Sequence, residues 1–124
     1  MNFRSTAVLL AALAIVCMSW ATDVKSDQVS INGWVLDSAC AITKGLDKPI
    51  SRDCALKCAK AGSPLVILAD DGSIYWPISD KTPSSGQNAL LLPFAGGRVT
   101  ASGKVYVRGG SHAIVLEKIA AENK

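Results

Sequence analysis

Cys54 and Cys58 stand four positions apart in the segment SRDCALKCAKAG, and Cys40 lies fourteen positions before the first of them. On a helix, residues at i and i+4 share a face, with Cα atoms about 6 Å apart. That geometry lets one helix offer two ligands to one metal ion. It suits a disulfide within the pair poorly, because about 6 Å is near the upper limit and the Cβ vectors run almost parallel. Cys40 can reach either partner if the intervening loop bends back. The leading expectation is therefore a disulfide from Cys40 to Cys54 or Cys58. It would tie a helix to the end of the first strand and leave one cysteine as a buried apolar filler. The alternative is a soft-metal site, Cu or Zn held by Cys40, Cys54 and Cys58, with His112 as a fourth ligand. His112 is the sole histidine, and the cysteine spacing matches no established zinc motif. Thiol exchange ranks third, since the spacing is CxxxC and no thioredoxin-like βαβ pattern surrounds it.

A second constellation is basic and aromatic. Arg98, Lys104, Tyr106 and Arg108 alternate along one outward row, and Trp34 falls on the matching side of the first strand. Such a surface can face a ligand by charge and stacking, although a solvated face is the plainer reading. Asp70 and Asp71 belong to a turn, where Asp is favoured for local hydrogen bonding. Together with Asp37 they make no acid–base pair, and no Ser–His–Asp order or phosphate-binding loop is present. The expectation is a protein that is not an enzyme and has no resident cofactor beyond the Cu or Zn alternative.

The compartment follows from the first residues. Arg4 precedes TAVLLAALAIVCMSW, an uncharged run too short for the roughly 20 residues of a membrane span. Ser19 and Ala21 supply small residues for a cut before Thr22, the pattern of a secretory signal peptide. Cys17 would leave with it, so no transmembrane anchor is expected after cleavage and the location is periplasmic or secreted. Roughly 100 residues remain, a size at which the buried fraction of surface is modest. The net charge of +3 falls to +2 without Arg4, too weak to imply nucleic acid as a partner. A small ligand, a metal ion or an envelope protein remain as partner classes.

These side chains need a scaffold. QVSINGWVLD alternates with period two, as a strand does, with Val29, Ile31, Gly33 and Val35 on one face. Residues 37–50 read as irregular. Ser51 as N-cap, Asp53 in the first turn and Gly62 past the end frame a short helix. Its apolar stripe is Cys54, Ala55, Cys58 and Ala61. LVIL and SIYWPI flank Asp71-Gly72, a strong hairpin signal. ALLLPFAG reads as an apolar turn plugging the core. RVTASGKVYVR, with Val99, Ala101, Gly103, Val105 and Val107 inward, and SHAIVLEKI form a final hairpin about Gly109-Gly110. The fold class is mainly β: a small closed or nearly closed five-stranded barrel with one short helix inserted between strands one and two. The expected organisation is a signal peptide at 1–21, a flexible segment at 22–27, the barrel domain at 28–119 and a polar tail at 120–124.

The segment PFAGGRVTASGKVYVRGGSHAIVLEKI resembles the closing hairpin of bacterial OB-fold modules. The region 29–119 also resembles a group of small exported bacterial proteins of uncharacterised function. Their patterns G-x-V-x-D-x-x-C, C-A-x-x-C-A-x-x-G-x-P and D-G-x-x-Y stand here as GWVLDSAC, CALKCAKAGSP and DGSIY. Some of these relatives carry a His three residues before the first helical Cys, where this chain has Ser51. The resemblance implies an OB-like barrel. An OB barrel hosts unrelated functions, so the expected function is that of a non-enzymatic binding module.

Overall fold

The computed structural model describes residues 26–123. The signal peptide expected at 1–21 and residues 22–25 lie outside the described residues. Strands β1 (Ser26–Asp37), β2 (Leu65–Ala69), β3 (Ile74–Pro77), β4 (Arg98–Arg108) and β5 (Ser111–Ala121) close into a barrel in the order β1-β2-β3-β5-β4. This is the small OB-like barrel expected from the pattern. All neighbours are antiparallel except β3 and β5. β1 serves two partners: its residues 26–34 pair with β4 and its residues 33–37 with β2. Gly33 is shared between them, and a Cβ there would stand 2.3 Å from the Leu68 carbonyl oxygen. A side chain would force the strands apart just where β1 passes from one partner to the other.

Both ends of the barrel domain run further than the pattern indicated. Ser26 and Asp27 already pair with Tyr106 and Val105, and Ala120 and Ala121 pair with Thr100 and Val99. The long β4 supplies ladder partners beyond the alternating core residues of its neighbours.

The inside of the barrel is filled by Ile31, Val35, Leu65, Ile67, Val99, Ala101, Val105 and Ile114, closed by Leu91 and Ala95. Leu91 ends a short helix at Asn88–Leu91, and Ala95 follows the 3₁₀ turn at Leu92–Phe94; this segment plugs the barrel. Val107, expected inward, is 52% exposed because it lies past the barrel rim. A second cluster, Leu36, Ala41, Val66 and Leu68 with Trp34, Ile50, Ile74 and Trp76 around it, covers the outer side of β1 and β2.

That outer cluster explains a departure from the expected layout. Two helices, not one, fill the connection between β1 and β2: α1 (Ser38–Thr43) and α2 (Arg52–Lys60). α1 lies in the stretch read as irregular. Asp37 caps it by accepting from the Cys40 N–H at 3.0 Å, and its Ala41 packs into the outer cluster.

Candidate functional site

The thiols sit where α1 and α2 meet the end of β1. α2 is seated by its backbone. Ser51 Oγ accepts from the Cys54 N–H at 3.3 Å, and the Arg52 guanidinium donates to the carbonyls of Pro93 and Ala95. Arg52 rests on Gly96, where a Cβ would fall 2.5 Å from the Arg52 Cα and where φ is +73°. Gly96 and Gly97 in turn exchange hydrogen bonds with Val35 of β1. The face of α2 that enters the barrel core is Ala55 and Ala59, both buried. Cys54 is exposed and Cys58 half-buried, so the thiols are turned off the core face. No cysteine among the described residues acts as buried filler, contrary to the expected stripe.

Asp37 is the hub beside them. It is only 4% exposed, accepts from the Cys40 N–H, and takes the Ser63 hydroxyl on its other oxygen. Ser63 is held by Asn88, whose Nδ2 donates to the Ser63 carbonyl while its Oδ1 accepts from the Leu65 N–H. The start of α1, the turn after α2 and the plug are thus joined by one polar chain. Burial alone would raise the Asp37 carboxyl. The Ser63 hydroxyl, the N–H groups of Cys40 and Ala39 and the Cys40 thiol outweigh it and hold the group below its ordinary value.

Cys40 and Cys54 line one cleft with Leu36, Asp37, Lys48 and Ile50. Its cavity volume is about 30 Å³, room for a water or an ion and not for an organic ligand. Lys48 Nζ stands 3.9 Å from Cys40 Sγ. Cys58 follows Cys54 by one turn of α2, with Asp37 and Cys40 as further neighbours. Burial first, then these neighbours, push its thiol above the ordinary value. A nucleophilic thiolate needs the opposite surroundings, which disfavours thiol exchange through Cys58.

Comparison with known proteins found no matching family model, no matching curated protein and no matching solved structure.

The three cysteines among the described residues, Cys40, Cys54 and Cys58, are free, and no pair of them stands at disulfide distance. The tether expected from Cys40 is not formed here. Its mechanical role is met by Asp37–Ser63 and by the Arg52 contacts to the plug. Among the described residues, no three His, Cys, Asp or Glu side chains form a group that could hold a metal. His112 is not brought to the thiols. β1 ends beside the start of β4, Trp34 pairing with Arg98, whereas His112 pairs with Val107 near the other end of β4. Nine residues of strand separate those positions, about 30 Å. There His112 packs against the Tyr75 ring at 5.4 Å between centroids.

The basic row is partly consumed. Arg98 lies over Trp34, 5.5 Å from the ring centroid, and is held by Asp70 through two 2.8 Å hydrogen bonds and by Glu122. Its positive charge is answered within the protein. Lys104 and Arg108 are exposed and Tyr106 half-buried along the same strand. Sequence reasoning missed Asp37 as the organiser of the site. The signal was present: an Asp three residues before Cys40, at the end of an apolar strand, is a helix N-cap pattern. Lys48, Arg52 and Asn88 carried no comparable signal, since their roles depend on segments distant in the chain.

Proposed function

We propose that the chain is an exported, non-enzymatic binding module whose ligand site is the thiol-lined cleft where α1 and α2 meet the barrel. One observation carries the reading. Cys40 and Cys54, from two helices, line the same ion-sized cavity, and Cys58 follows Cys54 by one turn of α2. Polar contacts already anchor both helices, so the sulfurs are not needed as a staple and remain available to a ligand. Export rests on the N-terminal pattern of Arg4, the apolar run and the small residues before Thr22. The resemblance to small exported bacterial proteins with the same cysteine spacing supports the same reading.

The same proximity favours one second reading. A shift of α1 in an oxidising compartment that brought Cys40 onto Cys54 or Cys58 would make the cleft a structural clasp. Rapid acid quenching and alkylation of the protein in its native envelope, followed by intact mass, separates the two. The binding module predicts a chain starting at Thr22 that carries three alkyl groups after unfolding. A chain that takes one group, and two more only after reduction, contradicts it.

A further inference from the structure

The sulfur pair on α2 has a coordination chemistry of its own, distinct from a four-ligand cage, which is not assembled among the described residues. Cys54 and Cys58 stand at i and i+4 on α2, so they share one face with Cα atoms about 6 Å apart. Two thiolate–metal bonds of about 2.3 Å each, set in line, span roughly 4.6 Å, which is attainable by adjacent i, i+4 side chains. Zn(II) in a structural site requires four ligands, and no set of three candidate ligands is assembled among the described residues. Thiolates select soft ions instead, and monovalent ions of closed d-shell accept two collinear sulfurs.

The geometry points to a two-sulfur site in which Cys54 and Cys58 together bind one Cu(I)-class ion. This inference rests on the thiol region being a binding site: Cys54 lines the cleft and Cys58 stands one turn further along α2, outside its lining. The balance is simple: two thiols and one monovalent cation give a bis-thiolate complex of charge −1 and release two protons, with no change of oxidation state. The extra negative charge needs answering cations. Lys57 and Lys60 occupy the last turn of α2, and Lys48 lies in the cleft against Cys40. The two oxygens of Asp37, an anion beside the pair, are occupied by Ser63 and the Cys40 N–H. The exposure of Cys54 gives the ion a path in and out. Cys40 borders the site from the neighbouring helix without being one of its two ligands.

The test is anaerobic titration of the fully reduced protein with Cu(I) itself, in competition with the chromogenic chelator bicinchoninate. Cysteines are counted in the same sample, and X-ray absorption spectroscopy of the loaded wild type counts the sulfurs. The expected result is one Cu(I) per chain with two sulfur ligands. Cys54→Ser and Cys58→Ser should each weaken binding by more than about 100-fold, beyond the effect of an outer partner. Cys40→Ser should weaken it by less than about 10-fold. Three sulfurs on the metal, or a Cys40→Ser defect equal to the others, overturns the two-sulfur site. No uptake by a protein with three free thiols also overturns it, and leaves the cleft reading standing. Thiols found paired before any metal is added overturn both. The sulfur count on the wild type decides the matter should a variant fail to fold.

Discussion

Asp37 concentrates more of this fold than any other single polar side chain. It is nearly inaccessible, ends β1, caps α1 and receives the Ser63 hydroxyl from the turn after α2. Its carboxyl lies below 3.8 in the folded protein, so the unfolded chain binds its proton first as the pH falls. The stability it contributes is complete above the unfolded value of 3.8. It is lost as the pH drops through the lower folded value. Asp37→Asn keeps the shape and removes the charge. It should lower stability by about 1.5–3 kcal/mol at pH 7, the range for hydrogen bonds to an ionised group. The gap from wild type should narrow at acid pH. Urea unfolding of both proteins at pH 7 and pH 3 checks this. An equal gap at both values would show that the charge does not act. An Asp followed three residues later by a helical Cys is visible in GWVLDSAC as a cap, but its bond to Ser63, 26 residues on, is not.

At the scale of elements, the site depends on how α2 is seated. Its N-terminus rests on Gly96, and its buried face is two alanines, so the fit is set by backbone approach and not by bulky side chains. Gly96→Ala adds a methyl 2.5 Å from the Arg52 Cα at a positive φ. It should cost about 1–3 kcal/mol, the usual range for overpacking and strain. It should also raise the alkylation rate of Cys58 as α2 lifts. Thermal unfolding and timed alkylation measure the two effects, and a variant with wild-type values for both would refute this seating. The sequence showed the helix and its cap but not its rotation. Four small residues, Cys54, Ala55, Cys58 and Ala61, give almost no contrast between faces, so neighbouring pairs compete as the buried one. α1 was not legible for a related reason. SACAIT is short and weakly helical, and it exists because Ala41 completes the cluster over β1 and β2.

For the whole molecule, the barrel was legible because period-two alternation and mid-strand glycines survive in the sequence. Gly103 sits at the register shift of β4, where a Cβ would approach the Val115 carbonyl oxygen to 2.1 Å. Gly33 plays the matching part in β1. The placement of His112 was not legible. Loop adjacency in a generic OB barrel suggested that it meets the cysteines, but the eleven residues of β4 carry it to the opposite end. The same topology gathers Cys40, Cys54 and Cys58 at one end. Cys40, Cys54 and Cys58 fall on three different tryptic peptides, so their proximity can be read directly. Treating the reduced, folded protein with a short bifunctional thiol reagent and mapping the digest should yield the Cys54 peptide bridged to that of Cys40 and to that of Cys58. Single-ended adducts alone, with Cys40 joined to neither helical cysteine, would contradict the cleft on which the binding site is built.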